Sequence, residues 1–162
     1  MRDRIASMTP EAFTPLISRI TDVVHDRTLD EDLAGYLNEN FPPGEEAFED
    51  IKRACRAAIA EGWMCNREAG GIRFGRVLKP GPATHGFSVD VVVMNEVKGP
   101  HHRHPLGEID MVMPLTAQAR FDGHGEGWCV YDPDTAHRPT VSGGKAIVLY
   151  LLPQGEIEFT KQ

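Results

Sequence analysis

The hydrophobic pattern of this 162-residue chain changes its period once, and that change limits the possible folds more than any other feature. In about the first 62 residues, apolar side chains recur every three or four positions, as on the buried face of an α-helix. From about Trp63 onward, glycine and proline separate short runs that are rich in β-branched and aromatic residues. The chain therefore combines a helical front with a β-rich remainder.

Three helices are predicted in the front part. The first begins at Thr9-Pro10-Glu11, where a capping threonine precedes a proline and an acidic residue, and Pro15 leaves open a start one turn later. The second covers residues 30–40, and the third covers about residues 44–60 and is stopped by Gly62. Each helix has one apolar stripe, which is most simply explained by packing against a core.

Seven strands are predicted in the second part, separated by turn signals such as Asp122-Gly123. Many short strands with this spacing indicate an antiparallel sandwich or barrel. We therefore expect residues 1–65 to form an α-helical N-terminal extension and residues 66–162 to form this antiparallel sandwich or barrel. The predicted strands cover residues 72–78, 86–96, 108–114, 117–122, 128–131, 145–152 and 156–160.

Composition argues against several classes of protein. The formal charge is −7 and no basic cluster offsets it, so we expect no nucleic-acid partner. No apolar run approaches the ~18 residues of a membrane span, and the N-terminus lacks the apolar region of a secretory signal. We expect a cytoplasmic protein with no membrane partner. Three cysteines without CxxC spacing argue against a disulfide scaffold or a thiolate zinc site.

The acidic residues are concentrated in the helical front. Residues 1–65 contain 13 acidic and 7 basic residues, whereas residues 66–162 contain 11 and 10. The β-rich part is therefore nearly neutral, and an anionic ligand is acceptable there.

Three of the seven histidines lie within residues 99–105, which makes this segment the strongest candidate for a site. His102 and His104 are two positions apart, so in an extended chain both side chains point to the same face. Glu108 has the same parity and can return to that face after the Pro-Leu-Gly turn. His137, which follows a later strand and turn, can supply a third imidazole.

Two roles stay open for these four residues. As ligands they suit a divalent metal, since imidazole binds Fe, Zn, Ni and Cu and a carboxylate extends the choice toward Mn. Without a metal, unligated histidine and glutamate could act as acid and base. Arg103 and Arg138 flank the cluster, and each could bind a substrate carboxylate or form a surface salt bridge. Asp110 could accept a hydrogen bond from an imidazole N–H.

The β-rich part resembles the cupins. Their first motif, HxH followed by three or four residues and Glu, is matched by His102, His104 and Glu108. Their second motif, Pro-x-Gly-x-x-His, is degenerate here, because Pro133-Asp-Thr-Ala-His137 is one residue shorter and lacks the glycine. The resemblance implies a cupin-type antiparallel β-barrel (double-stranded β-helix or jelly roll). Such barrels often pair through sheet edges, so we expect a homodimer.

Nearly the whole chain is similar to the 4-hydroxylaminobenzoate lyases. The similarity rests on long runs, among them Leu37-Asn-Glu-Asn-Phe-Pro-Pro-Gly44 and His137-Arg-Pro-Thr-Val-Ser-Gly-Gly144, together with residues 61–75, 82–90 and 107–114. It implies a lyase that converts 4-hydroxylaminobenzoate, a small aromatic carboxylate, to 3,4-dihydroxybenzoate (protocatechuate) with release of ammonia, in nitroaromatic degradation.

For such a reaction we expect roles for particular residues. His102, His104, Glu108 and His137 would hold a divalent metal ion (Fe, Mn, Zn or Ni), with no organic cofactor. Glu108, His102 and His104 would take part in catalysis. Arg103 or Arg138 would bind the substrate carboxylate.

Two other functions stay open. A different metal-dependent cupin enzyme, a dioxygenase or isomerase acting on a small aromatic or sugar acid, would use the same four ligands, because fold does not determine chemistry. A non-catalytic small-ligand-binding cupin would fit the degenerate second motif. Oxygen consumption would favour the first alternative, and thermal stabilisation by a ligand without turnover would favour the second.

Overall fold

The computed structural model describes residues 8–160, in which three α-helices precede ten strands, and a short 3₁₀ helix (Pro82–Thr84) lies between the second and third strands. The helices are α1 (Pro10–Val24), α2 (Glu31–Asn40) and α3 (Glu46–Glu61). The strands are β1 (Arg67–Ala69), β2 (Ile72–Leu78), β3 (Phe87–Lys98), β4 (His102–His104), β5 (Glu108–Pro114), β6 (Arg120–Phe121), β7 (Gly127–Tyr131), β8 (Thr135–His137), β9 (Thr140–Pro153) and β10 (Glu158–Phe159). No helix of this described part is long and apolar enough to cross a membrane.

The helix ends follow the capping chemistry that the sequence indicates. Thr9 accepts a hydrogen bond from the Ala12 amide at the start of α1, and Pro15 lies inside this helix, so the later start is not adopted. Asp30 caps α2 in the same way. Gly62 ends α3 with a φ of 91°, a left-handed conformation that glycine adopts without strain.

The strands form two antiparallel sheets. The larger sheet has the order β1-β2-β3-β9-β5-β7, with β6 also paired to β9, and the smaller sheet has the order β10-β4-β8. The predicted fold class, mainly β with antiparallel sheets and N-terminal helices, is confirmed. Within the described residues, however, hydrogen bonds do not join the two sheets into a closed barrel.

The larger sheet is covered on both faces. Along β3, Val91 and Val93 face the core that the sheet shares with the helices, whereas Val92 and Met94 face a second core. This alternation follows from the two-residue period of a strand. The smaller sheet lies over the second face, because His104 of β4 approaches Glu108 of β5 to 3.2 Å.

The helices and the larger sheet share one hydrophobic core. Phe48 of α3 packs edge-on against Trp128 of β7, with ring centroids 6.1 Å apart. The last helix ends at Glu61 and the first strand begins at Arg67. The helices and the sheet bury their apolar side chains together. The division into residues 1–65 and 66–162 stays a prediction.

Three strands, β1, β4 and β8, are missing from the sequence prediction. Each has three residues, which is too short to display an alternating pattern. The predicted strand over residues 117–122 is also shorter, since only Arg120–Phe121 pairs with β9. Two of the missing strands, β4 and β8, carry the histidines of the site.

Candidate metal centre and adjoining cavity

The pairing of β4 with β8 brings three histidines to one face of the smaller sheet. His102 lies directly opposite His137 in the register, and His104 lies opposite Thr135. Residues opposite one another in a sheet point to the same side, as do residues two apart on one strand. His102 and His104 are 2% and 0% exposed, so this face is buried.

A tight turn brings Glu108 to the histidines. The Gly107 amide donates a hydrogen bond to the His104 carbonyl, and Gly107 has a φ of 90°. A β-carbon at this position would lie 2.8 Å from the Tyr131 carbonyl oxygen and 2.9 Å from a methyl carbon of Leu29. Glycine is therefore required here both by its conformation and by the space available. Glu108 follows as the first residue of β5 and is completely buried.

The donor atoms of these four residues converge on one point. The Nε2 atom of His102 is 2.9 Å from that of His104 and 3.2 Å from that of His137. The Oε1 atom of Glu108 is 3.2 Å from Nε2 of His104, and all four donors lie within 4.8 Å of one another. Metal bonds of about 2.1 Å at right angles place neighbouring donors about 3 Å apart, so the spacing suits one divalent ion.

Hydrogen bonds to Nδ1 determine which ring nitrogens carry protons in two of the histidines. His137 Nδ1 lies 2.6 Å from the Asp122 carboxylate, which only accepts, so Nδ1 of His137 donates. The Thr135 hydroxyl donates to the Asp132 carbonyl at 2.7 Å, so it accepts from His104 Nδ1 at 3.1 Å. In both imidazoles Nε2 is left with a lone pair directed at the cluster.

With these tautomers, the cluster contains fewer N–H donors than hydrogen-bond acceptors. His102 Nε2 lies close to two lone pairs and can donate one proton, so it can hydrogen-bond fully to only one of the other two imidazoles. Both carboxylate oxygens of Glu108 are buried without a hydrogen-bond partner in the described part of the chain. An unpaired buried carboxylate is unfavourable. A cation at the centre would bind the imidazole lone pairs and a carboxylate oxygen of Glu108 together, so the residues fit a metal ion.

Burial sets the protonation of two neighbouring groups. It lowers the pKa of His102 to about 4, so this imidazole is neutral at pH 7 and can bind a metal. Burial, together with the nearby charge of Glu108, raises the pKa of Asp110 well above its usual range. Asp110 lies on the same face of β5 as Glu108, but the imidazole of His137 bonds to Asp122 instead.

Asp122 orients His137, and the sequence interpretation identified it only as a turn residue. It lies in the two-residue turn Asp122-Gly123, where φ is 49° and 84°, as in a type I′ hairpin. Its carboxylate accepts from His137 Nδ1 and from the Tyr131 hydroxyl, both at 2.6 Å, and from the Thr140 amide at 2.9 Å. Burial alone would raise the pKa of Asp122, but these hydrogen bonds outweigh it and lower the pKa.

A cavity of about 650 Å³ adjoins the cluster and is bounded by His102. Its walls are largely apolar, and Phe159, which is 67% exposed, stands with its ring centroid 5.7 Å from that of His102. The charged side chains of its described lining are Arg67, Arg76 and Asp90. The apolar lining residues include Ile72, Phe74, Val92, Met94, Tyr150, Ile157 and Phe159.

Comparison with known proteins gives the family. The model of the PnbB family, described as 4-hydroxylaminobenzoate lyase, matches residues 15–159. The chain belongs to the 4-hydroxylaminobenzoate lyase family. A 4-hydroxylaminobenzoate lyase of Nocardioides sp. (strain LMS-CY) is 34% identical over 160 residues, which cover 93% of this chain and 95% of that one. A 4-hydroxylaminobenzoate lyase of Pseudomonas putida is 33% identical, over 86% of this chain and 89% of that one.

This family member is an enzyme of the lyase type. Among solved structures, an RmlC-like cupin protein from Ralstonia eutropha JMP134 aligns with a TM-score of 0.46 at 16% identity. That alignment covers 62% of this chain and 67% of the cupin protein.

Arg103 and Arg138, the two arginines that the sequence indicated as carboxylate-binding candidates, do not line the cavity of this lyase. The Arg103 side chain, between His102 and His104 on β4, forms ion pairs with Asp134 and with Glu158. Arg138 donates to the Gly99 carbonyl at 3.3 Å. Neither belongs to the described lining of the cavity. Their role in binding a carboxylate stays a prediction.

Proposed function

We propose that this chain converts 4-hydroxylaminobenzoate to 3,4-dihydroxybenzoate and ammonia. The observation that carries the proposal is the buried convergence of His102, His104, Glu108 and His137 beside an apolar cavity, in a member of this family. An apolar cavity of this kind accepts an aromatic ring, and His102 at its boundary brings the ring next to the convergent polar groups.

The four convergent residues would hold a divalent metal ion, with Fe, Mn, Zn or Ni as the candidates and with no organic cofactor. When bound, such an ion supplies Lewis acidity toward the leaving hydroxyl and lowers the pKa of a bound water. Through hydrogen bonds at Nδ1, Asp122 and Thr135 keep the Nε2 lone pairs of His137 and His104 available, so that these atoms would bind the ion.

The proposed reaction consumes one water and needs no external oxidant or reductant. Hydroxide leaves the nitrogen, and water adds to the ring carbon ortho to it. Hydrolysis of the resulting imine releases ammonia, and the remaining ketone tautomerises to the catechol. A proton must reach the departing hydroxide, and another must leave the attacking water.

Residues of the histidine–glutamate cluster can move these protons. His102 bounds both the cluster and the cavity, so the N–O bond would break beside it. Glu108 lies outside the described lining of the cavity, with Oε1 3.2 Å from Nε2 of His104, so a proton from the attacking water would reach it through the histidine cluster. The apolar walls would pack against the faces of the ring.

Turnover by the purified protein tests the proposal. Protein loaded in turn with Zn²⁺, Mn²⁺, Fe²⁺ and Ni²⁺ is given 4-hydroxylaminobenzoate, and ammonia and 3,4-dihydroxybenzoate are quantified. We expect equal amounts of both products with at least one metal. Glu108→Gln should lower kcat by about 100-fold or more, as loss of a proton-transfer group does. The control Glu156→Gln alters an exposed turn residue and should leave kcat unchanged.

Two results would overturn this proposal. One is a Glu108→Gln variant as active as Glu156→Gln, which would remove the cluster from the chemistry. The other is oxygen uptake without ammonia release, which would favour the dioxygenase alternative.

The setting of the reaction is part of the same proposal. The substrate would come from reduction of a nitroaromatic acid, and the catechol product would feed ring cleavage, so the enzyme would act in nitroaromatic degradation.

Cys55, Cys65 and Cys129 are all free thiols, which supports a cytoplasmic location. A homodimer stays our expectation for its assembly, to be measured by light scattering on a sizing column.

A further inference from the structure

The cavity has a net positive charge in a chain whose formal charge is −7. Two of its three charged side chains neutralise each other. Asp90 accepts from Arg76 Nε at 2.8 Å and from Nη2 at 3.1 Å, and Arg76 Nη2 also donates to the Gly155 carbonyl at 3.2 Å. The uncompensated charge of the described lining therefore belongs to Arg67.

Arg67 lies on the cavity face of the larger sheet. In the register of β1 with β2 it is opposite Phe74, and Phe74 is opposite Val92 of β3, so all three point to the same side. No hydrogen bond or ion pair from residues 8–160 engages the Arg67 guanidinium. Its five N–H donors are thus available to a planar carboxylate.

The surface between Arg67 and His102 suits a flat apolar ring. Phe74 and Val92 form the floor beside Arg67, and Phe159 stands opposite, next to His102. Arg67 and His102 both line this one cavity, so an aromatic ring held in it could meet Arg67 at one end and His102 at the other.

We infer that Arg67 is the residue that binds the carboxylate of the aromatic substrate and turns the opposite end of the ring toward His102. This inference rests on the proposed function. Arg103 has two acidic partners on the far side of its strand, and Arg138 lies outside the described lining of the cavity. Arg67 lines the cavity and has no acidic partner among the described residues.

Three variants distinguish binding of the substrate carboxylate by Arg67 from a nonspecific effect of losing one positive charge. Arg67→Gln removes the charge, and Arg67→Lys keeps it without the planar fork. Arg73→Gln is the matched control, because Arg73 is an equally charged, exposed residue of the adjoining strand that faces away from the cavity. Each is assayed with 4-hydroxylaminobenzoate and with hydroxylaminobenzene, which lacks the carboxylate.

We expect Arg67→Gln to raise the KM for 4-hydroxylaminobenzoate by about tenfold, the effect of losing one exposed charge-assisted contact, with kcat changed less than about twofold. Arg67→Lys should recover part of that loss. The KM for hydroxylaminobenzene should not change in any variant, and Arg73→Gln should match the wild type with both substrates. A purely structural role of Arg67 would affect both substrates alike.

Binding of 4-aminobenzoate, measured by calorimetry, keeps the inference independent of turnover. If the wild type binds this anion but releases no ammonia from 4-hydroxylaminobenzoate, the proposed function fails while Arg67 can still be tested. If the wild type turns over its substrate and Arg67→Gln has the KM and the 4-aminobenzoate affinity of Arg73→Gln, the inference about Arg67 is wrong and the proposed function stands.

Discussion

Asp122 illustrates how a single residue can serve both the fold and the chemistry. Its backbone makes the turn between β6 and β7, and its carboxylate receives hydrogen bonds from His137, Tyr131 and the Thr140 amide. A carboxylate at this position requires the proton of His137 to be on Nδ1. The Nε2 atom is thereby kept available to a metal.

Asp122→Asn should therefore weaken metal binding more than it weakens the fold. Asparagine can donate its amide hydrogen to Nδ1 of His137 and so reverse the tautomer. We expect the Kd for Zn²⁺ to rise by about 10- to 100-fold, the usual effect of changing a residue that orients a ligand. Competition with a chromogenic zinc chelator measures it. Asp132→Asn, at an exposed position nearby, should leave the Kd unchanged, and equal values for both variants would contradict this role.

The sequence revealed part of the site because the signal was local. His102, His104 and Glu108 lie within seven positions, and their spacing alone predicts a common face. Asp122 could not be recognised, since its partner is 15 positions away and its own signal was that of a turn. Arg67 was missed because nothing in the chain shows that a three-residue edge strand faces a cavity.

At the scale of elements, strands with a sustained run of apolar residues were the most predictable. β2 and β5 were predicted with their observed bounds, and β3 nearly so. The longest strand, β9, was predicted only over residues 145–152, because Ser142-Gly143-Gly144 near its start indicates a turn. The short strands β4 and β8 exist because of tertiary pairing, and His137 was placed after a strand instead of within one. The sequence could not indicate this pairing, since its two partners are separated by three other strands.

One contact between elements joins α2 to the edge of the larger sheet. The Asn38 amide donates to the Trp128 carbonyl at 2.9 Å and accepts from the Trp128 amide at 2.9 Å, as a neighbouring strand would. The edge strand β7 is thereby covered. Gly127 is needed beside it, because a β-carbon there would lie 2.7 Å from the Asn38 side-chain oxygen.

Asn38→Ala should lower the free energy of unfolding by about 1–2 kcal/mol, since it removes two hydrogen bonds to the backbone. Urea denaturation monitored by tryptophan fluorescence measures the change. Asn40→Ala is the matched control, because the side-chain hydrogen bond of Asn40 in the described structure stays within its own helix, to the Tyr36 carbonyl. A loss at Asn38 no larger than the loss at Asn40 would show that this contact does not hold α2 on the sheet.

At the scale of the molecule, the larger sheet lies between a helical layer and the sheet that carries the histidines. The helices therefore support the site from behind: Met111 of β5 faces the helical core, while Glu108 and Asp110 of the same strand face the site. Sequence periodicity predicted the helical layer and the antiparallel β class. It did not show that the two sheets are not joined into a closed barrel, because closure depends on the pairing of edge strands.

Metal binding should stabilise the whole molecule, because the ligands come from three strands of two sheets. A ligand at 100 times its Kd adds about 2.7 kcal/mol to the free energy of unfolding, which corresponds to a Tm increase of about 5–10 °C for a chain of this size. Differential scanning fluorimetry with and without Zn²⁺ or Mn²⁺ measures the shift.

His104→Asn should abolish this increase in Tm, whereas His124→Gln should retain it, since His124 is exposed on the β6–β7 turn. An equal increase in both variants would place the metal elsewhere on the protein.

The central claim is that this chain exchanges the nitrogen of 4-hydroxylaminobenzoate for oxygen derived from water. Mass spectrometry of the product formed in H₂¹⁸O tests it most directly. The proposed route predicts 3,4-dihydroxybenzoate with ¹⁸O at both ring hydroxyls and one ammonia per product molecule. Metal-loaded protein that releases no dihydroxybenzoate, or a product in which one hydroxyl keeps the original ¹⁶O of the hydroxylamine, would contradict it.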